Sequence, residues 1–575
     1  MDLKQIVRPP ASPIPVDHLL GAETVCGVFA DLVQRYPDYE CLTLLDRHKE
    51  ERRFTLGGIG ARALEIQAVL GAAGLEPGGC AVLILPTDPE LIAAYFAVMF
   101  AGGTPTLLAT PSHRHARPEV YTGLVNTILD NAEARVIYCD AEVAETLGRS
   151  QLALRGGTRV LTPAEVGPCS APPARVEVKG RDIATIQYSS GTTGPPKGIR
   201  LCHEAILENL RATREVLEID ARTVSVSWIP LYHDMGLMDG FLLPLLCGCP
   251  TILIPTMDFM RDPSIWLWAI HHYRGSMSWA PNFAYTLAAN RVPEGDLEGL
   301  DLSSWRIAIS AAEPVLADTV RDFTARFASR GFEAEAFCPY YGLAECVTAV
   351  TGDSPRSRPR VETIDRKEAA TRHRAVPTQG EGLPIVGCGT TLPDCRVEIR
   401  DESRRPLPER SVGDIWVSAP WLFTDYNRDP EETARVRVDG WLLTGDTGYL
   451  ADGHLYFFSR AKDLVVIGGE KYAPHDVESA VNAVPGVRGG CAVAFGIRNR
   501  GRGTEELAVV AETKESDGEA LAAMERAIRH EVMNATGLGV RHLELVAPGG
   551  VQKTTSGKLA RSAMRQRYEE KWSGE

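Results

Sequence analysis

One short segment, residues 188–198, combines glycines, hydroxyl side chains and a lysine. It reads Tyr-Ser-Ser-Gly-Thr-Thr-Gly-Pro-Pro-Lys-Gly and follows the apolar-alternating run 183–187. Glycines let the backbone come close to a ligand, and its N–H groups together with hydroxyls can surround phosphate oxygens. A lysine adds a mobile positive charge for the outer phosphates. The segment therefore predicts a loop that binds the phosphates of a nucleotide.

The predicted phosphate loop is not a Walker A motif. That motif ends in Gly-Lys-Ser/Thr, whereas Lys197 lies between Pro196 and Gly198. The spacing argues against a P-loop phosphotransferase. A plain polar turn between two strands is the simpler alternative, but the density of hydroxyls and glycines is greater than a turn needs.

Three later segments also have residue types suited to nucleotide chemistry. Residues 340–345 (Tyr-Tyr-Gly-Leu-Ala-Glu) offer a ring for a purine and a carboxylate for Mg²⁺. Residues 441–446 end in Gly-Asp, which suits a ribose diol, and residues 552–558 end in a lysine on a Ser/Gly loop. Taken alone, each has a plain alternative: a core turn, a common Gly-Asp turn and a solvated basic tail.

Together, and in this order, these segments resemble the motifs of the adenylate-forming (ANL) superfamily of acyl-CoA synthetases, adenylation domains and luciferases. The resemblance runs from about residue 20 to residue 570. It implies an α/β fold with a large N-terminal domain, a small mobile α+β C-terminal domain and a site between them. It also implies ATP and Mg²⁺ as cofactors.

The resemblance assigns roles to residues at matching positions. The residues that would hold the β- and γ-phosphates are Ser189, Ser190, Gly191, Thr192, Thr193, Gly194 and Lys197. Those that would contact the adenine and ribose are Ala312, Glu313, Tyr341, Gly342, Asp446 and Arg460. Glu345 would bind Mg²⁺, Lys462 would be the hinge, and Lys558 would be the catalytic lysine.

Within the superfamily, the closest likeness is to the fatty acyl-AMP ligases. Residues 230–237 (Pro-Leu-Tyr-His-Asp-Met-Gly-Leu) and 310–314 (Ser-Ala-Ala-Glu-Pro) are similar to segments of those ligases. There are 42 positions from Glu345 to Gly387, more than acyl-CoA synthetases usually have, and residues 361–366 resemble an insertion of the ligases. That insertion is associated with restraint of the C-terminal domain and loss of productive use of coenzyme A.

Three features depart from the ligase pattern. Ala311 stands where the ligases usually have glycine, and Pro195 stands where they often have aspartate. Residues 468–471 (Gly-Gly-Glu-Lys) are closer to the acyl-CoA synthetase pattern. The resemblance therefore leaves a rival acceptor, free coenzyme A, beside the carrier-bound thiol.

The resemblance implies a two-step ligase reaction. A fatty or related carboxylic acid would react with ATP to give acyl-AMP and pyrophosphate, and the acyl group would then pass to the phosphopantetheine thiol of an acyl carrier protein. Alternatives are an acyl-CoA or aryl-CoA synthetase, a loading ligase for a polyketide-type, amino or aryl acid, and a non-catalytic scaffold. Aromatic residues and methionines at such spacings more often form plain core, but some could line the acid pocket. The candidates are Trp228, Tyr232, His233, Met235, Gly236 and Phe283.

A basic segment coincides with the insertion. Residues 356–374 hold seven Lys/Arg against three Asp/Glu in an otherwise acidic chain. Carrier proteins are usually acidic, so this segment could steer their docking. A solvated insertion surface is the alternative interpretation.

Composition limits the remaining function classes. A formal net charge of −14 argues against a general nucleic-acid binder. The 13 scattered cysteines, with no C-x-x-C pair, predict reduced and mostly buried thiols, no structural zinc and a cytoplasmic protein. No secretory leader is expected. The longest uncharged stretch, 91–112, is interrupted at 102–105, so it predicts a buried helix and a strand rather than a membrane span.

The elements that must hold these motifs follow from the hydrophobic periodicity. Alternating strand and helix patterns, such as strand 80–85 and helix 89–100, predict parallel α/β layers at about 1–180 and 181–380. Short β segments separated by Asp-Gly turns predict a β-barrel-like subdomain at 381–461. These three parts form the predicted adenylating domain, 1–461. Residues 462–575 predict a separate α+β domain, with helices at 474–484 and 518–535.

Overall fold

The computed structural model describes residues 2–15, 18–21, 23–111, 118–169, 173, 175–188, 196–467, 470–499, 504–554 and 558–572. The predicted phosphate-loop residues Ser189, Ser190, Gly191, Thr192, Thr193 and Gly194 lie outside this set. The α-helices are Val25–Arg35, Leu56–Ala72, Pro89–Phe100, Pro118–Ala132, Ala141–Arg149, His203–Val216, Leu243–Leu246, Thr256–Arg261, Ser264–Tyr273, Asn282–Arg291, Ala317–Phe327, Arg366–Arg372, Pro430–Val436, Pro474–Asn482, Gly518–Thr536 and Arg561–Trp572. A π-helical segment spans Met235–Leu242.

A parallel sheet occupies the first part of the chain. Its strands run in the order Thr104–Leu107, Cys80–Ile84, Val136–Cys139 and Arg159–Leu161. The helix Pro89–Phe100 begins where the Asp88 side chain accepts a hydrogen bond from the Leu91 N–H, with proline at the first position. This helix and the following strand confirm the interpretation of the uncharged stretch 91–112. Among the described helices, none has both the length and the apolar character needed to cross a bilayer.

A second sheet has seven strands and supplies most of the site. Their order is Phe337–Pro339, Ile307–Ser310, Met277–Ala280, Ser225–Ser227, Thr251–Leu253, Glu40–Leu45 and Glu51–Thr55. All neighbours are parallel except the last pair. The two N-terminal strands thus join residues 225–339 instead of the sheet formed by the rest of the first 180 residues. The sequence division into two consecutive layers does not anticipate this exchange.

The predicted phosphate loop connects two antiparallel strands. Ile183–Tyr188 pairs with Gly198–Cys202, so that Tyr188 lies opposite Gly198 at the base of the loop. Asp425–Tyr426 adds a third strand to the other edge of Gly198–Cys202. The residues on either side of the predicted loop, Tyr188 and Gly198, are therefore held on paired strands.

Smaller sheets follow, antiparallel except where Thr504–Thr513 pairs in parallel with Val540–Val546. One comprises Arg396–Arg400, Gly413–Ser418, Trp441–Ala451, Arg437–Val438 and His454–Arg460, and the others pair Val361–Ile364 with Leu383–Val386, and Tyr341–Gly342 with Ala349–Gly352 and Thr390–Thr391. The C-terminal strands are Val465–Ile467 with Glu470–Tyr472, and Val487–Asn499, Thr504–Thr513 and Val540–Val546. These sheets, with the parallel layers, confirm the predicted mixed α/β fold.

The C-terminal elements have their own hydrophobic core. Side chains of Val477, Val509, Ile528 and Val532 pack together there, apart from the large core that spans residues 3–455. The helix Gly518–Thr536 ends at Gly537, whose φ of +72° is accessible to glycine. The boundary at residue 462 stays a prediction, although the two cores lie on either side of it.

The insertion packs against the start of the C-terminal elements. Ile364 and Ala369 share a small core with Tyr456 and with Leu464 and Ala473. At the edge of this core, Arg366 Nη1 lies 3.8 Å from the Asp476 carboxylate. This contact joins the insertion to the segment immediately after the predicted hinge.

All thirteen cysteines are free thiols, and eleven of them are buried. Burial raises the pKa of several of these thiols, for example that of Cys41 to about 12. A high pKa keeps the sulfur protonated and unreactive. The eleven buried cysteines therefore act as small apolar core residues.

We predict that His203 makes the stability of this chain pH-dependent. His203 is buried at the start of helix His203–Val216 and accepts a hydrogen bond from the Val25 N–H. Burial lowers its pKa to about 4, below the unfolded value of roughly 6.5. The unfolded chain therefore binds the proton first as the pH falls. The resulting stability is complete above pH ~6.5, and about 3 kcal/mol of it is lost by pH ~4.

The measurement is urea unfolding of the wild type and of His203→Asn between neutral pH and pH ~4. Asparagine keeps an acceptor for Val25 but does not titrate in this range. The wild type should lose its advantage over the variant as the pH falls. A stability difference that stays constant with pH would contradict the assignment.

Candidate active site

A cleft of about 1460 Å³ separates the N-terminal sheets from the C-terminal elements. Its walls include twelve of the residues that the sequence motifs predict for the site. They are Lys197, Tyr232, His233, Ala312, Glu313, Tyr341, Gly342, Glu345, Asp446, Arg460, Lys462 and Lys558. Residues separated by up to 361 positions thus meet in one place.

Asp446 lies at the centre of a buried polar group on one wall. It sits in the long strand Trp441–Ala451, opposite Arg460 on the neighbouring strand. The Tyr341 hydroxyl donates to Asp446 Oδ2 at 2.8 Å, and Arg460 Nε lies 3.7 Å from Oδ1. Burial raises the pKa of Asp446, while the Arg460 guanidinium acts against that shift. The arrangement presents a fixed carboxylate next to an aromatic ring and a cation.

Glu345 is held by a tight turn beside this group. The Tyr426 hydroxyl donates to Glu345 Oε1 at 2.8 Å, and the Glu345 carbonyl accepts the Phe423 N–H. Burial raises the carboxyl pKa, and the bond from Tyr426 opposes that effect. Two residues later Val347 has φ +64° and ψ −65°, which is strained for a β-branched residue. The turn thus holds the Glu345 carboxylate in place, and the unfavourable backbone conformation of Val347 is its energetic cost.

Lys558 belongs to the C-terminal elements and lines the cleft together with the residues described above. The Lys558 carbonyl accepts a hydrogen bond from the Thr554 N–H at 2.7 Å. Burial lowers the pKa of the Lys558 ammonium, while Asp234 and Glu313 raise it. Burial opposes ionisation of Asp234, but His233 and Lys558 outweigh it and lower that carboxyl pKa to about 2. A positive charge is therefore placed among carboxylates within the cleft.

Arg561 anchors the loop that carries Lys558. It follows Lys558 by three residues and binds Glu478 with Nη2 at 2.6 Å and Nε at 2.8 Å. Its Nη1 also lies 3.4 Å from Asp463, next to the predicted hinge. The guanidinium joins the lysine loop, the helix Pro474–Asn482 and the hinge segment, and so acts as a positioning residue.

We expect Arg561→Ala to lower the free energy of unfolding of the C-terminal elements by about 3–5 kcal/mol. The change leaves the carboxylates of Glu478 and Asp463, whose side chains are 6% and 11% exposed, without their cation. The control is Arg565→Ala, one turn later, whose pair with Glu505 is more exposed and is worth at most about 1 kcal/mol. Equal losses in denaturant unfolding of the two variants would contradict this role.

Lys197 has a protein partner at the mouth of the predicted phosphate loop. Its ammonium pairs with Glu432 and lies 5.1 Å from the centre of the Tyr426 ring. A hydrogen bond from Arg435 is the largest effect on Glu432, and with Lys197 it lowers that carboxyl pKa to about 2. Sequence reasoning missed Glu432 and Tyr426. No local pattern signals either residue, because their partners are 235 and 81 positions away.

The structure places the predicted acid-pocket residues in different surroundings. Tyr232 and His233 line the cleft. Trp228 instead stacks on Phe259 at 3.8 Å and packs edge-on to Phe283, so among the described residues Trp228 and Phe283 belong to an aromatic core. Gly236 packs against Pro230, whose carbonyl oxygen leaves no room for a Cβ. Met235 lines a smaller recess beside the cleft.

The residues from 310 to 314 enter the cleft through a strained turn. Ala312 has φ +70°, a conformation that L-residues other than glycine rarely adopt. The adjacent Glu313 accepts the Phe283 N–H at 2.6 Å, and burial raises its carboxyl pKa. Backbone strain of this kind is typical of ligand sites.

The basic insertion segment is partly neutralised by neighbouring acids. Arg356 pairs with Glu218, Arg358 with Glu335, and Arg372 with Glu368 within its own helix. These pairs are exposed, so each contributes little to stability. They leave a smaller free positive charge for docking than the composition of the segment suggests.

Comparison with known proteins gives consistent matches. The family model for AMP-binding enzymes matches residues 29–427. A Caulobacter vibrioides protein with the provisional name acyl-CoA synthetase is 34% identical over 86% of this chain and 87% of its own. The medium-chain-fatty-acid–[acyl-carrier-protein] ligase JamA of Moorena producens is 32% identical over 85% of each chain.

A solved structure gives the same picture. It comes from studies of fatty acyl-adenylate ligases from E. coli and L. pneumophila and superposes with a TM-score of 0.90. The two sequences are 30% identical, and the match covers 96% of this chain and 99% of that one. Likeness therefore extends over both the N-terminal and the C-terminal elements.

Proposed function

This chain belongs to the family of AMP-binding enzymes, and from that premise we propose that it is a fatty acyl-AMP ligase. It activates a fatty or related carboxylic acid with ATP and transfers the acyl group to the phosphopantetheine thiol of an acyl carrier protein. The relative JamA and the superposed ligase structure support this substrate class. The single observation that carries the proposal is the position of Lys558 in the same cleft as Glu345 and Asp446.

The first step forms the acyl adenylate. A carboxylate oxygen of the acid attacks the α-phosphorus of ATP, the bond to the bridging oxygen breaks, and pyrophosphate leaves with the electron pair. Such a reaction depends mainly on positioning and on stabilisation of charge. Lys558 donates to the α-phosphate and the attacking carboxylate, Asp446 binds the ribose diol, and the ring of Tyr341 lies against the adenine.

Glu345 is the residue that would hold Mg²⁺. In the described part of the chain, no three His, Cys, Asp or Glu side chains group closely enough to form a metal site alone. One carboxylate is nevertheless what Mg²⁺ requires when phosphates and waters supply its other ligands. The ion would neutralise charge on the departing pyrophosphate. Lys197 and residues 189–194 would hold the same phosphates.

The second step transfers the acyl group. The thiol sulfur attacks the acyl carbon, AMP leaves, and the thiol proton passes to solvent. Rotation at Lys462 would withdraw Lys558 and bring another face of the C-terminal elements to the cleft. The insertion packs on Leu464 and Ala473, directly after this hinge. The resemblance to the fatty acyl-AMP ligases associates such an insertion with loss of productive use of coenzyme A, and on that ground we propose a carrier-bound acceptor.

The test uses purified enzyme, ATP, Mg²⁺ and a series of straight-chain acids, with either coenzyme A or a holo acyl carrier protein. We expect acyl-AMP to accumulate in the presence of coenzyme A and to discharge only to the carrier. Rapid formation of acyl-CoA would instead favour the second candidate, an acyl-CoA synthetase. That candidate is supported by Glu470 and Lys471 in the strand Glu470–Tyr472 and by the name of the Caulobacter relative.

A further inference from the structure

A carboxyl group is buried behind the wall of the cleft. Asp239 lies on the π-helical segment Met235–Leu242 and has no exposed surface. Its Oδ1 lies 3.1 Å from the Thr348 hydroxyl, but its Oδ2 has no hydrogen-bond partner among the residues that the structure describes. π-Helical turns within helices occur frequently at functional sites. An unsatisfied buried carboxyl oxygen costs about 1–3 kcal/mol, so this atom needs an explanation.

Asp239 lines a recess of about 30 Å³ that opens beside the cleft. Met235, Trp279 and Ala311 line the same recess, and Ala312 lines both spaces. The Trp279 indole Nε1 is also buried, and in the described ranges it too lacks a hydrogen-bond partner. Two polar atoms without partners thus belong to side chains that line one recess next to the predicted acid pocket.

The hydrogen bonds around Asp239 indicate that its carboxyl group is protonated and that the proton is on Oδ1. The Thr348 hydroxyl lies 3.1 Å from Asp239 Oδ1 and 3.0 Å from Asn209 Oδ1, while the Asn209 amide donates to the Ala349 carbonyl. A hydroxyl has only one proton to donate. A neutral Asp239 resolves this sharing: it donates from Oδ1 to the Thr348 hydroxyl, which donates to Asn209 Oδ1. Burial, which raises the Asp239 pKa well above its ordinary value, favours this neutral form and leaves Oδ2 as an acceptor.

The side chains that line the recess therefore carry an acceptor, Asp239 Oδ2, and a donor, Trp279 Nε1, that lack partners among the described residues. A hydroxyl group can satisfy both, an alkyl chain can satisfy neither, and an ammonium group would have to be desolvated. The volume also fits, since a recess of this size holds one group about as large as a water molecule. Resting on the function proposed above, we propose that this recess binds a hydroxyl substituent of the acyl chain, so that the preferred substrate is a hydroxy acid.

The test compares octanoic acid with its alpha-hydroxy, beta-hydroxy and beta-amino derivatives, using ATP–pyrophosphate exchange by the full chain. For the wild type, kcat/KM for one hydroxy acid should exceed that for octanoic acid by about 10- to 100-fold, because the unsubstituted acid leaves both polar groups unpaired. Asp239→Leu should remove this preference. Asp239→Asn should retain it, because an amide can donate to Thr348 and accept from the substrate as the neutral acid does.

Each outcome decides the proposal. A wild-type enzyme that uses octanoic acid at least as well as both hydroxy acids overturns it, whether or not Asp239→Leu folds. A preference that persists in a folded Asp239→Leu variant also overturns it. Preference for the beta-amino derivative would overturn the proposal, because the recess would then bind an amine and not a hydroxyl group. If none of the acids supports exchange, it is the ligase function itself that fails.

Discussion

Replacing Lys558 by alanine is expected to slow acyl-adenylate formation by about 10²–10³-fold, the effect of removing one positioned donor to a developing charge. The side chain enters the cleft from the C-terminal elements, among the carboxylates of Asp234 and Glu313. Its charge acts only while the acid and the α-phosphate react. The loss should therefore fall on kcat for adenylation more than on the KM of either substrate.

Two measurements separate this role from a structural one. Transfer of the acyl group from pre-formed acyl-AMP to the carrier should largely survive in Lys558→Ala, because that step uses a different orientation of the C-terminal elements. Lys514→Ala, on an exposed position of the same elements, should behave as the wild type. Pyrophosphate exchange near the wild-type rate in Lys558→Ala would show that another group stabilises the transition state.

Local features of the fold are predictable from the sequence. The helix Pro89–Phe100 has the predicted bounds, because its cap, its proline and its apolar stretch are all encoded within a dozen residues. The helix Gly518–Thr536 similarly ends at a glycine. In contrast, strands Glu40–Leu45 and Glu51–Thr55 join a sheet built mainly from residues 225–339. Such long-range pairing depends on tertiary contacts that no sequence window contains.

The residues of the site also differ in how far the sequence alone reveals them. Motif residues such as Asp446, Glu345 and Lys558 are recognisable because each lies in a short segment with a typical pattern. Tyr426 and Asp239 are not, since Tyr426 acts through a glutamate 81 positions away and Asp239 looks like an ordinary polar residue in an apolar helix. Only the packed structure reveals that its carboxyl is buried beside the cleft with one oxygen unpaired in the described part of the chain. That the described motif residues share one cleft therefore follows the sequence prediction, while the shape of the acid pocket does not.

Replacing Asp446 by asparagine is expected to raise the KM for ATP by about 10²-fold, the value of a hydrogen bond to a charged group. The carboxylate is 7% exposed and accepts from Tyr341, while Arg460 lies close to its other oxygen. An amide keeps the shape but loses one acceptor and the charge that faces Arg460. A ribose diol needs two acceptors in this place, so nucleotide binding weakens before the chemistry does.

The measurement is steady-state pyrophosphate exchange with ATP and the acid varied in turn. For Asp446→Asn the KM for the acid should stay within about twofold of wild type. The substitution weakens a contact with ATP that is equally strong in the ground state and the transition state, and it changes nothing at the reacting atoms. Asp452→Asn is the matched control: it makes the same replacement six residues later, in an exposed turn with φ +50° that asparagine tolerates. A KM for ATP that is equal in all three proteins would mean that the ribose binds elsewhere, and Asp446 would then serve only to hold Tyr341 and Arg460 in the wall of the cleft.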